Sequence, residues 1–522
     1  MSQLQSMDGE KQPAEAESLL GQLNVQRYDD EFANNPPPES AVTTGQKILD
    51  LAIPAAGALL IDPLMTLVDT AFVGRFTTTS SLSGGESVAT TAAPLSGMGS
   101  AAALLTFTFY LFNFLCTTTT PLVALKRSSG NEKEAITLGG QVLSLSFVFG
   151  FTLTIMLLLG RQPLLLLMGT GNTGIEANLY AIDFLTVRAF AAPAVLCMEA
   201  STGILRGYLD TKTPIYVLFL ANAINFILDI LLVVLLGMGP KGAAIATTTS
   251  EWISACLFLA ILAGKVPAPK YLGKIEKSVS SIVPIWDIPS WREIQPLFIA
   301  SSSTFFRALV LQASLVSAAA MVARSGNESV DSVAAACVAA HQIGIQLWLL
   351  CSFFCDSLAA ASQGLIADAL GRQDANDVND ISKTIFLYSF YLGISLALLL
   401  QIGTWTSLLL DLFTQNEATR AALTSILPLI VLAQPLNAFV FAADGIIQGA
   451  SEFPFQAKAM VVSGMTAVGT FVLLEALNPS DASTLVHVWS ALLALQLMRG
   501  LTSLWKILDR NGPINLLSSI ET

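Results

Sequence analysis

From Gln46 onward, long apolar stretches alternate with short polar breaks along almost the whole chain. The stretches fall at 47–75, 94–125, 134–160, 176–205, 213–237, 241–264, 292–323, 333–367, 380–406, 420–448, 456–477 and 483–508. Each reaches the ~20 residues a helix needs to cross a bilayer core, and the longer ones require tilt or extension beyond it. The pattern predicts an all-α integral membrane protein of twelve spans. Pro54, Pro63, Pro94, Pro121, Pro193, Pro428 and Pro435 lie inside these stretches. In water they would end helices; in a bundle, neighbouring groups satisfy the freed backbone, so bent spans are expected.

Composition agrees. Mean hydropathy is +0.64, 53% of residues are hydrophobic and 12% are charged, whereas a soluble domain carries about a quarter charged residues. The six cysteines (Cys116, Cys197, Cys256, Cys337, Cys351, Cys355) all lie in apolar stretches without zinc-type or redox-type spacing, and read as buried thiols. The net charge of −12 is uneven: residues 1–44 hold eight acids against Lys11 and Arg27, half of the excess. That segment has no apolar run, so it reads as a disordered acidic cytoplasmic tail rather than a signal or transit peptide. Within it, Glu15-Ala16-Glu17-Ser18-Leu19-Leu20 has the form of an acidic dileucine sorting signal.

The polar breaks also carry orientation. With the N-terminus inside, fifteen Lys and Arg fall on the cytoplasmic side after the tail and only five (Arg75, Arg161, Lys241, Arg324, Arg420) fall opposite. This positive-inside bias places both termini in the cytoplasm and the Asn327-Glu328-Ser329 sequon outside. Gly203-Ile204-Leu205-Arg206-Gly207 recurs as Gly445-Ile446-Ile447-Gln448-Gly449, 242 positions later, and Leu122-Val123-Ala124 as Leu365-Ile366-Ala367, 243 positions later. Two six-span lobes in one orientation follow, related by an axis along the membrane normal. The expected division is a tail at 1–44, a first lobe at 45–264, a Lys-rich cytoplasmic linker at 265–291, a second lobe at 292–508 and a C-terminal tail at 509–522.

An ionisable group among lipid tails costs at least ~2.5–3.5 kcal/mol, so its default reading is functional. The first lobe holds Asp62, Asp69, Asp183, Arg188, Glu199, Asp229 and Glu251 within its spans. Asp62 and Asp69 are seven apart and share a helix face, as do Asn225 and Asp229, four apart. Two acids from different helices with an amide and hydroxyls nearby would suit a proton or Na⁺ site. Asp183, Arg188 and Glu199 read as an ion-pair network packing span four, while Glu251 has no partner in its own span. The second lobe holds Arg307, Asp356, Asp444, Glu475 and Arg499, and Phe471 stands at the counterpart of Asp229. Asp444, one residue before the repeat glycine, reads equally as structural or functional. An enzyme is not supported: the only histidines are His341 and His487, and no HExxH, GxSxG or phosphate loop occurs.

Leu67-Val68-Asp69-Thr70-Ala71-Phe72-Val73-Gly74, Gly203 to Pro214, Asn225 to Asp229 and Gly242-Ala243-Ala244-Ile245-Ala246-Thr247 resemble signatures of the multidrug and toxic compound extrusion (MATE) transporters. Gln434-Pro435-Leu436-Asn437 with Asp444-Gly445 resembles the DinF-type branch, which includes plant relatives. The resemblance covers roughly 45–508 and implies two six-helix lobes around a central cleft, with rocker-switch alternating access driven by H⁺ or Na⁺ and no other cofactor. It implies a coupling-cation site at Asp69, Asn225, Asp229 and Thr247; Asp62, Glu199, Arg188 and Asp444 stand beside it as secondary polar candidates from their place in the spans. Other branches keep carboxylates in the second lobe; here Asn437 stands where one would be expected. The implied partners are a small organic substrate and the lipid bilayer, with no nucleic acid, and the expected state is a monomer. Bacterial members resemble exporters of organic cations and plant relatives exporters of citrate or a salicylate precursor. A lipid-linked precursor flippase of the same superfamily is the alternative. Plasma membrane and vacuolar or other organelle membranes all remain open.

Overall fold

The computed structural model describes residues 43–76, 92–167, 175–266, 282–286, 291–324, 331–478, 481–509 and 512–514. The acidic tail with its sorting pattern, most of the 265–291 linker, the sequon and most of the C-terminal tail lie outside the described residues. The first lobe comprises α1 (Thr44–Phe76), α2 (Ala92–Leu111), α3 (Phe114–Ser128), α4 (Glu132–Leu167), α5 (Ile175–Ala189), α6 (Ala192–Gly207), α7 (Lys212–Asp229) and α8 (Gly239–Leu262). A π-helical segment, Ile230–Leu235, extends α7. The second lobe comprises α9 (Trp291–Arg324), α10 (Asp331–Gly371), α11 (Ala375–Trp405), the short α12 (Leu408–Phe413), α13 (Glu417–Gly449), α14 (Phe453–Leu477) and α15 (Asp481–Ile507).

Among the described residues, eleven runs are long and apolar enough to cross a membrane, and the bent pair α5–α6 makes a twelfth. Large apolar side chains such as Leu159, Leu235 and Leu477 stand exposed on the bundle's outer surface. That arrangement suits lipid as the solvent, and the small residues turn inward to bring backbones together.

Span four, expected over 176–205 with Pro193 inside it, is bent: its halves meet at 50°. Pro193, near the start of α6, supplies the physical reason, because it has no N–H to give to the preceding turn. The Ala189 carbonyl accepts instead from Thr154 Oγ1 on α4 at 2.8 Å, and the Phe190 carbonyl from Trp252 Nε1 on α8 at 3.0 Å. Span two also breaks, at Phe112–Asn113 between α2 and α3.

The internal repeat is physical. A Cβ on Gly203 would lie 2.8 Å from the Cys116 carbonyl oxygen, and one on Gly445 would lie 2.6 Å from that of Ala359. Gly207 meets Thr120 and Val123 as Gly449 meets Gln363 and Ile366. Gly150 abuts Pro193 as Gly393 abuts Pro435. Every residue of each contact is displaced by 242 or 243 positions from its twin. The turns agree: Leu209 and Ser451 both take left-handed φ (59° and 60°), as do Gly130 and Gln373 (83° and 58°).

The lobes meet chiefly along α3 and the adjoining part of α10. There Gly371 packs against Ser128 and the Leu125 carbonyl, and Ser128 is the repeat counterpart of Gly371. Twin positions in contact lie on the repeat axis. Arg127 pairs across the lobes with Asp368 at 2.8 Å and stacks on Tyr208, while Arg372 joins Asp368 and Asp377.

Candidate functional site

A cavity of about 440 Å³ lies between the first lobe and α10, lined by side chains from α1 to α3, α5 to α8 and α10. Its carboxylates are Asp69, Glu199, Glu251 and Asp356; its guanidiniums are Arg188 and Arg206.

The four residues expected to share a site are brought together. Asp69 reaches the cavity because α1 continues past it to Phe76. Asn225 and Asp229 share a face one turn apart on α7, and Thr247 faces them from α8. Asn225 Nδ2 donates to Asp69 Oδ1 at 3.1 Å and to Asp229 Oδ2 at 3.3 Å. The Asp69 and Asp229 carboxyls lie within hydrogen-bonding reach of each other. Thr247 Oγ1 lies 2.8 Å from the Ala243 carbonyl and 3.4 Å from Asp69 Oδ2. A hydroxyl has one proton, which the shorter contact takes. Its lone pairs then face a carboxylate oxygen.

Two further atoms matter. Among the described residues, Asn225 Oδ1 and Asp229 Oδ1 are buried and have no hydrogen-bond partner, and Asp229 is 0% exposed. A buried carboxylate with one oxygen unpaired is costly unless a proton or cation completes it. The donor set is all oxygen, two carboxylates with an amide and a hydroxyl, which fits a proton or a hard cation.

The secondary candidates separate. Arg188 lines the cavity and binds Glu251 of α8 in a bidentate pair, Nη2 to Oε1 at 2.9 Å and Nη1 to Oε2. Of the network expected within span four, Asp183 is exposed, and Arg188 has an ion-pair partner on another span. Glu199 lines the cavity from α6. Asp62 sits on α1 with its side chain outside the described residues. Asp444 does not line the cavity; it is buried in the second lobe, where its Oδ2 accepts from Arg307 and Arg499.

The second lobe has no copy of the first lobe's cluster. At the repeat offset of 242, Asn225, Asp229 and Thr247 become Ala467, Phe471 and Trp489, all packed in apolar clusters. Asp356, which the sequence shows only as one of the second lobe's intramembrane charges, faces the cavity from α10. The repeat offset is the signal that finds it, since 243 positions separate it from Asn113 on the opposite wall.

Twelve spans in two repeat-related lobes around a polar cavity define a membrane transporter. The MatE family profile matches residues 54–231 and 314–472, and the chain belongs to that family; it is a multidrug and toxic compound extrusion transporter rather than an enzyme. It is similar to Protein DETOXIFICATION 44, chloroplastic, of Arabidopsis thaliana, with 29% identity over 91% of this chain and 84% of that one. It is also similar to DNA damage-inducible protein F of Escherichia coli strain K12, with 25% identity over 90% of this chain and 94% of that one. Among solved structures, "Outward-facing conformation of a multidrug resistance MATE family transporter of the MOP superfamily" superposes with a TM-score of 0.73 at 19% identity. That match covers 88% of this chain and 95% of the other and shows the shared fold. These matches do not favour the flippase alternative.

Proposed function

We propose that the protein is an antiporter that exports small organic solutes in exchange for H⁺ or Na⁺ bound at Asp69, Asn225, Asp229 and Thr247. The observation that carries this reading is the buried, incompletely partnered Asp229 carboxyl beside a second carboxylate in a wall of the central cavity. Exchange requires that cation and solute favour different states of the lobes, because a ligand held equally by both shifts nothing. The cluster lies within the first lobe, whereas the cavity also touches α10, so lobe movement changes the two sites differently.

The test is uptake into proteoliposomes of ethidium and of radiolabelled citrate, each with an imposed pH or Na⁺ gradient. Gradient-stimulated flux of one solute supports the reading; flux of neither under both gradients overturns it.

Orientation belongs to the same proposal. We place the turns at 128–131 and 372–374 in the cytoplasm, as the lysine and arginine bias requires, so that Arg127–Asp368 closes the lobes on that side and the cavity serves the opposite face. Cysteines introduced at the exposed Ser129 and Gln373 should resist an impermeant thiol reagent in intact cells, and one at the exposed Gln415 should react. Labelling in the reverse pattern would overturn this topology.

A further inference from the structure

Away from the central cavity, a groove of about 360 Å³ opens between α3, the start of α9, the turn after α13 and the first residues of α14. That size falls within the ~300–1,000 Å³ of ligand pockets. Among the described residues, none lines both the groove and the cavity. The lining is mainly apolar: Leu122, Pro296, Ile299, Ala300, Phe453 and Pro454. Its polar members are Gln295 and Ser451, and Ser451 Oγ is buried with no hydrogen-bond partner among the described residues. Two lysines stand one turn along the same helix faces, Lys126 after Leu122 and the exposed Lys458 after Pro454. Glu452, beside Ser451, is already balanced by Lys506 at 3.1 Å.

The repeat shows that the fold does not require these polar groups. Leu122 and Pro296 have like twins in Leu365 and Pro54, but Lys126, Gln295, Ser451 and Lys458 correspond to Ala369, Ile53, Leu209 and Tyr216. The groove departs from the repeat as well. A Cβ on Gly57 of α1 would lie 2.3 Å from Ile215 Cδ1 of α7, so those helices approach closely, whereas Ile299 and Ala457 hold the twin positions.

We propose that this groove binds an anionic phospholipid of the surrounding bilayer, with an acyl chain along Ile299, Phe453 and Pro454 and the head-group phosphate held by Lys126 and Lys458. Ser451 Oγ donates to an oxygen of the same head group. An apolar channel ending at two cations matches an amphiphile, and basic pockets between spanning helices capture anionic head groups in this way. Lys126 reaches Glu134 at 2.7 Å, but in an exposed pair that a phosphate replaces at little cost. Lys458 lies a turn deeper than Pro454, and its long side chain extends back to the head-group level. The bound lipid touches α3 of the first lobe together with α9 and α14 of the second. It therefore favours the arrangement of the lobes in which those three helices meet. The proposal is independent of which solute the transporter carries.

Native mass spectrometry of the full-length protein, titrated with phosphatidylglycerol or with phosphatidylcholine of the same chains, tests the site. The parent protein should hold one phosphatidylglycerol more tightly than phosphatidylcholine. Lys126→Gln combined with Lys458→Gln should weaken phosphatidylglycerol roughly thirtyfold and bring the two lipids level. Lys265→Gln, at the exposed lysine after α8, should change neither. Phosphatidylglycerol should also raise the unfolding temperature of the parent and leave that of the double variant where it was. Both lysines extend from the surface rather than fill the core, so the double variant folds and remains informative. Equal affinity of the parent for the two lipids overturns the site, as does a double variant that keeps the parent's preference. Inorganic phosphate that displaces the lipid at matching concentration would overturn it too, since the lysines would then bind any phosphate and the groove would contribute nothing.

Discussion

Asp229→Asn should reduce gradient-driven export to the level of empty liposomes while the protein still inserts, folds and binds solute. The substitution is nearly isosteric, and an amide oxygen can still accept from Asn225 Nδ2, as Asp229 Oδ2 does at 3.3 Å. What it removes is the charge of a carboxyl that is 0% exposed and has one oxygen without a partner. Burying that charge opposes folding, so its removal leaves stability unchanged or raised. The coupling ion, by contrast, loses its reason to bind: a neutral amide neither takes up a proton near neutral pH nor balances Na⁺. Asp69→Asn should behave alike, since Asp69 accepts from Asn225 and faces the Thr247 hydroxyl at the same cluster. Phe471→Leu, at the repeat counterpart, should retain export. Uptake under imposed pH and Na⁺ gradients measures all three, and wild-type flux from Asp229→Asn would remove the assignment. Glu199 would then be the next residue to examine.

Much of this was legible in the sequence, and the reason is physical. A span must be apolar along its full length, so twelve spans show in one dimension. The repeat showed because close helix approach demands glycine at Gly203, Gly207, Gly445 and Gly449, where any Cβ would meet a neighbouring backbone. Asn225 and Asp229 were readable as a pair because one turn of α7 joins them. Partners on different helices were not readable. Arg188 was assigned to its own span, although the cavity wall is closed by Glu251 of α8. The 50° bend in span four depends on Pro193 meeting Gly150 and on Thr154 catching the freed carbonyl. Nothing local to either stretch announces that meeting.

The opposite signature is expected at Asp444. Its Oδ2 accepts from Arg307 Nη2 at 2.5 Å and Arg499 Nη2 at 2.6 Å, and Gln456 Nε2 donates to its backbone and side-chain oxygens at 3.0 and 3.2 Å. From Arg499 the chain continues through Gln496 and Asn437 to Ser352. One carboxylate thus organises side chains from α9, α10, α13, α14 and α15. In Asp444→Asn two guanidiniums keep their charge and lose their shared counter-ion inside the lobe. Removing one partner of a buried pair costs roughly 3–5 kcal/mol, so the yield of monodisperse protein should fall and thermal unfolding in detergent should begin well below that of the parent. Adding Arg307→Gln removes one stranded charge and should recover part of the loss, which a role in ion coupling would not predict. Molecules that do fold should still respond to the gradient, because the coupling cluster lies in the other lobe. A melting curve for Asp444→Asn that matches the parent protein, with gradient-driven export abolished, would make Asp444 part of the coupling machinery instead.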